Sequence, residues 1–185
     1  NGNKPQLWGT EVFFENLDNF KVHPEGHIDP DNLDFILIRK DPPVDDAYTA
    51  ALQILSLGKT KARIINNPDA LLRYNEKILA HYFHDSMAPT LVTNNIHEAK
   101  KFVMAQGEAV IKPLNGFGGQ GVVKVNSGDE LVFKKIFKGG NPSYYVCQKY
   151  IPNITDEGEK RVYIIDGKIV CSYLKVPAPG EFRAN

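Results

Sequence analysis

The sequence predicts an α/β fold whose second half has α+β character, and three observations support this prediction. A β-type run at residues 33–39 is followed by a helical stripe and a second short β-type run, an order typical of parallel sheets. A glycine-rich stretch at residues 116–121 lies between two β-type runs and is interpreted as a hairpin tip. Asp166-Gly167 is a strong hairpin signal, so antiparallel pairing is expected in the second half.

The composition is that of a globular protein: 185 residues, 42% hydrophobic, with 22 Lys and Arg against 22 Asp and Glu. Because the net charge is zero, the general attraction used by nucleic-acid and anionic-membrane binders is missing, and neither partner is expected. No apolar run approaches the roughly 18–20 residues of a spanning helix, and no signal-peptide stretch opens the chain. The expected compartment is therefore the cytoplasm. The chain starts without Met, which leaves an upstream portion open.

The first half of the chain is predicted to begin with an irregular segment, residues 1–32, because its aromatic residues follow no regular period. Residues 33–39 then form a predicted buried strand, which stops at the tandem prolines Pro42-Pro43. A helix from Asp45 or Asp46, closed by Gly58, leads to a second strand at residues 63–66.

Asn67-Pro68 predicts the N-cap and first turn of a long helix, whose apolar positions continue to Phe83. After a linker, the pattern predicts further strands and helices. A capping box at Ser127 to Glu130 is expected to open one of these helices, and Gly139-Gly140 to close it. The predicted strands are residues 90–93, 109–112, 122–125, 144–150, 161–166 and 168–174, and a helix is predicted for residues 96–106.

The two cysteines, Cys147 and Cys171, both lie in β-type runs. Neither is part of a CxxC motif or a secreted-type framework, so buried reduced thiols are favoured over a disulfide or a ligand pair.

Four glycines occur among the six residues Gly116-Phe-Gly118-Gly119-Gln-Gly121, more than a simple hairpin turn requires. The spacing contains G-x-G-x-x-G, but a strand follows instead of the helix that a dinucleotide-binding fingerprint needs. No Gly-Lys-Ser/Thr follows, which excludes a Walker A loop. We therefore favour a hairpin tip whose N–H groups close over phosphates, with Lys112 on the preceding strand as a point charge. A tight turn without ligand is the alternative.

Three other groups of polar residues are candidates for a functional site, but each also has an ordinary explanation as surface residues. Lys77, on the predicted long helix beside Glu76, has the pattern of a solvated lysine. Arg39 to Asp41 follow a strand end, where open α/β sheets present ligand-binding groups, although surface charge is the more common explanation. His81, His84 and Asp85 supply too few ligands for a zinc site, and a solvated face is favoured.

Seven motifs occur in order along residues 39–185. They are Arg39-Lys-Asp-Pro-Pro-Val-Asp45, Asn75-Glu-Lys77, Pro89-Thr-Leu-Val-Thr93, Ile111-Lys-Pro-Leu-Asn-Gly-Phe-Gly-Gly119, Gln148-Lys-Tyr-Ile-Pro152, Glu159-Lys-Arg161 and Pro179-Gly-Glu-Phe-Arg-Ala-Asn185. Taken together, these motifs resemble the bacterial-type glutathione synthetases, which are ATP-grasp ligases. The resemblance covers roughly residues 33–185 and implies an ATP-grasp type fold, with a partial substrate domain followed by a glycine-lid nucleotide-binding domain. It divides the chain into an irregular segment at 1–32, a substrate domain at 33–88, a lid subdomain at 89–146 and a second subdomain from 147 to 185.

The resemblance implies roles for individual residues. Lys77 and Lys112 would both reach ATP phosphates, under a lid formed by Gly116, Gly118, Gly119 and Gly121. The segment Gln148, Lys149, Tyr150 and Ile151 would hold adenine by backbone hydrogen bonds and apolar contact, and Glu159 would accept ribose hydroxyls. Arg161 and Arg183 would face the transferring phosphoryl group and the substrate carboxylate, while Arg39, Asp41 and Asn185 would bind substrate.

The implied reaction joins γ-glutamylcysteine and glycine through an acyl phosphate, with ATP and Mg²⁺. No metal ligand is assigned in this chain, because the family's Mg²⁺-binding carboxylates and Asn are expected further downstream, and Glu159, Asp166 and Glu181 do not replace them by spacing. The family's opening strand is not recognisable before Leu33. We therefore expect a fragment with little or no activity on its own. Family members often form homo-oligomers, but no feature of the sequence establishes one.

Two alternatives remain open at this stage. One is a non-catalytic, ATP-binding or regulatory module with the same fold. The other is a ligase of the same chemistry that acts on a different amino acid or peptide.

Overall fold

A computed structural model describes residues 4–40, 43–138 and 143–183 and has the expected α/β character. The chain forms two compact units, Asn1–Asn75 and Glu76–Asn185. This division precedes the predicted one between residues 88 and 89, because the segment that begins at Glu76 makes its contacts with the glycine-rich loop of the second unit. Within the described residues, no helix combines the length and apolar character needed to cross a membrane.

The first unit opens with four strands, so the irregular segment predicted for residues 1–32 is wrong. β1 pairs with β4, and β2 pairs with β3, both in antiparallel register. The strands are three to five residues long, too short for their alternation to be recognised in the sequence. Their bounds are β1 Leu7–Gly9, β2 Val12–Asn16, β3 Asn19–Val22 and β4 Gly26–Ile28.

The β–α–β unit predicted from the sequence is present in the first unit. β5 (Phe35–Leu37) and β6 (Arg63–Ile65) are parallel, and α1 (Asp46–Leu57) connects them. The side chain of Asp45 accepts a hydrogen bond from the N–H of Tyr48 at 2.8 Å, which caps α1 as its sequence indicated.

The long helix predicted from Pro68 to Phe83 is interrupted, and that prediction is wrong. α2 (Pro68–Arg73) is capped by Asn67 but ends before Tyr74, whose φ of −113° and ψ of 106° are extended. α3 (Glu76–Leu79) then begins the second unit and continues into a 3₁₀ helix, Ala80–Ser86. The apolar spacing is compatible with helix throughout, but it cannot reveal that the chain passes here from one compact unit to the other.

The centre of the second unit is a four-stranded antiparallel sheet in the order β7-β10-β8-β9. Two helices, α4 and α5, contribute side chains to the core, and a separate hairpin, β11–β12, follows the short helix α6. The bounds are β7 Thr90–Thr93, α4 Ile96–Gln106, β8 Glu108–Pro113, β9 Val123–Asn126, α5 Glu130–Ile136, β10 Tyr145–Lys149, α6 Ile154–Glu157, β11 Glu159–Ile165 and β12 Lys168–Lys175.

The two faces of this sheet differ in composition because successive side chains of a strand point to opposite sides. One face packs Ile111 and Cys147 against Val103 of α4 and Phe133 of α5, and these four residues have no exposed surface. The alternate residues, which include Lys112 and Gln148, face the other side. The buried core thus holds the strands from one face and leaves polar side chains on the opposite face.

Among the local predictions for this unit, the Asp166-Gly167 turn and the end of α4 are confirmed, and the capping box is wrong. Asp166-Gly167 forms the expected tight turn, with φ of 49° and 73°, and α4 ends at Gly107, with φ of 81°. The capping box at Ser127 is wrong, because the N-cap is Asp129, whose side chain accepts from the N–H of Asn126 instead of from the helix. Gly139-Gly140 lies outside the described residues.

Cys147 is buried, as predicted, and its burial raises the pKa of the thiol to about 11, so it stays protonated at neutral pH. Cys171 is exposed on β12, so the prediction that both thiols are buried is wrong for this residue. Its strand belongs to a two-stranded hairpin, which lacks the helical cover that the four-stranded sheet has on one face.

Candidate functional site

A cavity of about 550 Å³ lies within the second unit, on the polar side of its sheet. Its wall combines the glycine-rich loop, several cationic side chains and a group of apolar residues. Most of the residues for which the sequence implied a role therefore line one space. The lining is Glu76, Lys77, Val110, Lys112, Pro113, Gly116, Phe117, Gly118, Gly119, Gln120, Val122, Gln148, Lys149, Tyr150, Ile151, Ile154, Glu159, Arg161, Phe182 and Arg183.

The glycine-rich loop joins β8 to β9 as the predicted hairpin tip. Gly118, Gly119 and Gly121 have φ values of 54°, 70° and 69°, a conformation that other residues rarely adopt. At Gly121 a Cβ atom would also lie 2.8 Å from Cγ of Pro113. The loop thus needs glycine for its backbone path as well as for any close approach of a ligand.

Lys77 anchors this loop from α3. Its Nζ donates hydrogen bonds to the carbonyl oxygens of Leu114 and Gly116, at 3.0 and 2.8 Å, and pairs with Glu76 at 2.7 Å. Only 21% of its side chain is exposed, so the solvated-lysine alternative does not describe its environment. The sequence could not show these contacts, because 37 and 39 residues separate Lys77 from its carbonyl partners.

Lys112 reaches the same cavity from β8. Its Nζ donates to Oε1 of Gln148 at 2.8 Å, and the nearby charges are Lys77 and Glu159. Burial, and secondarily the positive charge of Lys77, lower the pKa of Lys112 below its ordinary value, while Glu159 raises it. An anion placed between the two lysines would relieve their repulsion, so the pair favours an anionic ligand.

The segment predicted to hold adenine follows β10 along the cavity wall. The N–H groups of Lys149 and Tyr150 already donate to the carbonyl oxygens of Pro89 and Glu108, at 2.9 and 3.1 Å. Among the described residues, the N–H of Ile151 has no backbone acceptor. This leaves Ile151 as the backbone donor of the segment for a bound ring.

Apolar side chains also line the cavity. Val110, Val122 and Ile154 line it, and Tyr150 contacts Phe182 edge to face, with ring centroids 6.4 Å apart. Lys124 lies 3.8 Å from the centroid of the Tyr150 ring and also pairs with Glu108. The Tyr150 ring is thus held from two sides, and the surrounding surface suits a flat, largely apolar group.

Three more charged residues line the cavity, Glu159, Arg161 and Arg183. Arg161 Nε pairs with Glu159 at 2.9 Å, and this hydrogen bond raises the pKa of the guanidinium further. Arg183 pairs with Glu181 at 3.1 Å, while its Nε is hidden from solvent and has no hydrogen-bond partner among the described residues. A buried donor without an acceptor is costly, and an anionic oxygen from a ligand would satisfy it.

The described lining of the cavity includes none of the three residues with an implied substrate role. Arg39 belongs to the first unit, and Asp41 and Asn185 lie outside the described residues. His84 and Asp85, for which the sequence favoured a solvated face, form an exposed pair. Among the described residues, no group of three or more His, Cys, Asp or Glu side chains could hold a metal ion.

Sequence reasoning missed Thr90 and Phe182 as site residues. Thr90 is hydrogen-bonded to Gln148 next to the cavity, and Phe182 lines its apolar part. Both lie in segments that carried the family resemblance, at Pro89-Thr-Leu-Val-Thr93 and Pro179-Gly-Glu-Phe-Arg183. The motifs therefore signalled the right segments, but only the strand register and the ring contact identify the individual side chains.

Comparison with known proteins extends over both units. Residues 4–73 match the family model of the prokaryotic glutathione synthetase N-terminal domain, and residues 76–185 match that of the prokaryotic glutathione synthetase ATP-grasp domain. The first match includes residues before Leu33, where the sequence motifs indicated no resemblance. The boundary between the two matches coincides with the break between α2 and α3.

Curated relatives carry the same family name. The chain is 40% identical over 154 residues to the glutathione synthetase of Xanthomonas axonopodis pv. citri, which covers 81% of this chain and 48% of that protein. It is 36% identical over 177 residues to the glutathione synthetase of Salmonella typhimurium, which covers 92% of this chain and 56% of that protein. The chain thus spans about half the length of the curated relatives it matches.

Solved structures of low identity share the fold. D-cycloserine synthetase DcsG superposes with a TM-score of 0.55 at 19% identity, covering 70% of this chain and 47% of that one. D-alanyl-alanine synthetase A of Vibrio cholerae gives a TM-score of 0.51 at 16% identity, covering 90% of this chain and 51% of that one.

Proposed function

Because the chain belongs to the prokaryotic glutathione synthetase family, we propose that it binds ATP and acts in an ATP-dependent carboxylate–amine ligase reaction. The observation that carries this proposal is the convergence of Lys77, Lys112 and the glycine-rich loop on one cavity. Two cations from different elements and a hairpin with three positive-φ glycines suit a polyphosphate better than a neutral ligand.

The proposed nucleotide pose combines the apolar and the charged residues of the cavity lining. The adenine ring would lie against Val110, Val122 and Tyr150 and accept a hydrogen bond from the N–H of Ile151. The ribose would lie near Glu159, whose carboxylate can accept hydroxyl protons. The phosphates would then extend toward Lys77 and Lys112 beneath Gly116–Gly121. The side chains assigned to the ring, the ribose and the lysine contacts all belong to residues that line the cavity.

ATP would supply the phosphoryl group that activates the acid. A carboxylate oxygen attacks the γ-phosphorus, the bond from that phosphorus to the ADP oxygen breaks, and an acyl phosphate forms. The amine then attacks the acyl carbon, a C–N bond forms, and phosphate leaves with the bonding electrons while the amine loses a proton. Both steps gather negative charge, which Lys112, Arg161 and Arg183 would stabilise in the cavity.

Closure of the glycine-rich loop would keep water from the acyl phosphate, which otherwise hydrolyses. We infer that Mg²⁺ participates in the ligase reaction, as expected for the family. The described residues form no carboxylate cluster for it, so no step of the reaction is assigned to a metal here.

For the substrates, we propose γ-glutamylcysteine and glycine, in line with the family of the chain and of its curated relatives. Arg183, with its buried Nε lacking a partner among the described residues, is the proposed ligand of the acceptor carboxylate. Arg39, Asp41 and Asn185 stay proposed substrate ligands from the sequence resemblance.

Isothermal titration with ADP tests the nucleotide site directly. We expect the chain to bind ADP and Lys112→Ala to weaken the affinity by on the order of tenfold to a hundredfold, because a charge-assisted contact is lost. Lys134→Ala removes the same charge from an exposed position on α5 and should leave the affinity unchanged. No ADP binding by the unaltered chain, or equal affinity of the Lys112 variant, would overturn the proposal.

The substrate assignment needs a separate measurement, made on the product of the full reading frame that contains this chain, because we expect the 185 residues alone to have little or no activity. ADP release should require both γ-glutamylcysteine and glycine, and other amino acids in place of glycine should give little turnover. If another amino acid or peptide supports faster release, the ligase chemistry stands and the substrate assignment fails. If ADP binds but no acceptor panel supports turnover, the non-catalytic ATP-binding alternative is favoured.

A further inference from the structure

Three side chains from neighbouring strands lie in a row on the polar face of the sheet. β10 runs between β7 and β8, and its Gln148 lies directly opposite Thr90 of β7. Lys112 of β8 lies opposite Val146, two residues before Gln148 and therefore on the same face. Thr90 and Lys112 thus flank the Gln148 side chain, one directly across and one diagonally.

Hydrogen bonds connect the three side chains into a continuous chain. The Thr90 hydroxyl donates to the carbonyl oxygen of Ala88 at 2.7 Å. Gln148 Nε2 donates to Thr90 Oγ1 at 2.9 Å, and Lys112 Nζ donates to Gln148 Oε1 at 2.8 Å. All three side chains are partly buried, so water competes weakly with these bonds.

The direction of the chain follows from the number of protons available. A threonine hydroxyl has one proton, and Ala88 receives it, so Thr90 Oγ1 can only accept from Gln148. The amide NH₂ of Gln148 must therefore face Thr90, which turns the amide oxygen toward Lys112. An ammonium has only donors, and this orientation is the one that gives it an acceptor.

We propose that Thr90 and Gln148 are positioning residues for Lys112: Thr90 sets the orientation of the Gln148 amide, and its oxygen holds the lysine ammonium toward the phosphates of the nucleotide. This inference rests on the proposed nucleotide site. It adds a specific function for the Gln148 side chain, which is separate from any backbone contact with the ring, and it adds Thr90 to the residues on which binding depends.

The charges around Lys112 explain why a neutral acceptor suits this position. Burial and the charge of Lys77 oppose the protonated lysine, while Glu159 favours it. The other charged groups of the cavity are Glu76, Lys149, Arg161 and Arg183. A carboxylate in place of Gln148 would form an ion pair with Lys112 and compete with the phosphates for its charge. An amide oxygen stabilises the ammonium and leaves its charge available.

The test compares Thr90→Val with Thr90→Ser by titrating ADP from neutral pH to about pH 10, where lysines begin to lose their protons. Valine has nearly the shape of threonine but has no hydroxyl, whereas serine keeps the hydroxyl. We expect Thr90→Val to bind ADP about tenfold more weakly at neutral pH. The loss of affinity with rising pH should begin at lower pH, because Lys112 without a fixed acceptor loses its proton more easily. Thr90→Ser should resemble the unaltered chain.

Gln148→Met is a second test of the positioning of Lys112, since it removes the amide oxygen that accepts from the lysine while keeping the side-chain length. In this variant too, we expect the loss of ADP affinity with rising pH to begin at lower pH than in the unaltered chain. If the unaltered chain fails to bind ADP, the proposed nucleotide site itself is wrong. The positioning inference is wrong if the unaltered chain binds ADP but neither Thr90→Val nor Gln148→Met loses ADP affinity at lower pH. It is also wrong if Thr90→Ser binds ADP as weakly as Thr90→Val.

Discussion

Lys77 shows how much the setting of a single residue can change its interpretation. In the sequence it follows Glu76 and has the pattern of a surface lysine. In the fold its side chain is mostly buried, and its ammonium donates hydrogen bonds to two carbonyl oxygens of the glycine-rich loop. In the proposed nucleotide site, the same ammonium would also contact the phosphates. Residue type and local spacing carry no information about either partner.

Lys77→Met should therefore affect both the loop and the ligand. We expect ADP affinity to fall by about tenfold or more, and the amides of Gly116 to Gly121 to exchange faster with solvent, because two carbonyl contacts disappear. Hydrogen exchange and titration calorimetry measure the two effects. Lys134→Met on α5 is the matched control, and unchanged loop exchange in Lys77→Met would contradict the anchoring interpretation.

Gly121 illustrates a backbone requirement at the residue scale. Its φ of 69° opposes any side chain, and so does Pro113, whose Cγ would lie only 2.8 Å from an added Cβ. We expect Gly121→Ala to lower the free energy of unfolding by about 1–3 kcal/mol and to weaken ADP binding. Gly26→Ala is the control, since Gly26 has no positive φ and an added Cβ there has no neighbour within 4 Å. Equal stability of the two variants would exclude a special role for the Gly121 backbone.

At the scale of elements, helix ends were predicted with uneven success. α4 has an N-cap, Asn95, whose side chain accepts from the N–H groups of His97 and Glu98, and it ends at Gly107. α5 begins at Glu130 without a side-chain cap, although its sequence contains a capping-box pattern. A capping pattern requires that the chain enter the helix at the right residue, and the turn after β9 delays that entry.

Substitution of the two caps distinguishes these cases. Asn95→Ala should lower the free energy of unfolding by about 1 kcal/mol, because two N–H groups lose their acceptor. Ser127→Ala should change it by less than about 0.5 kcal/mol, since this exposed side chain caps no helix. Chemical denaturation monitored by circular dichroism gives both values. A larger effect at Ser127 than at Asn95 would restore the capping-box interpretation.

At the scale of the whole molecule, the chain consists of two compact units, and the candidate cavity is lined by residues of the second alone. Its sheet has one face buried against α4 and α5 and places Lys112 and Gln148 on the other. The core residues Ile111 and Cys147 adjoin these functional residues in sequence, so packing on one face fixes the positions of the polar groups on the other.

A ligand that binds this cavity should stabilise the unit that contains it. At ADP concentrations about a hundred times the dissociation constant, we expect the second unit to gain about 2.7 kcal/mol against unfolding. Hydrogen exchange should then slow in β7, β8 and β10, while exchange in the parallel pair β5–β6 serves as the internal reference. Protection confined to the first unit would contradict the assignment of the cavity.

The sequence by itself determined the features that depend on neighbouring residues. Local spacing and backbone preference account for the glycine-rich hairpin, the Asp166-Gly167 turn and the extent of α4. The family motifs added an expected phosphate contact for Lys77, whose local pattern is that of a surface lysine. Such features can be read from a single chain because their physical cause lies within a few residues.

Only the tertiary structure decided the features that depend on distant partners. The helix predicted from Pro68 ends at Arg73, and Lys77 contacts the glycine-rich loop. Strands form among residues 4–32, and Cys171 is exposed. The tertiary structure also aligned Thr90, Gln148 and Lys112 across three strands. The register between strands and the division into units arise from packing and hydrogen bonding between segments far apart in the chain, which local residue patterns do not encode.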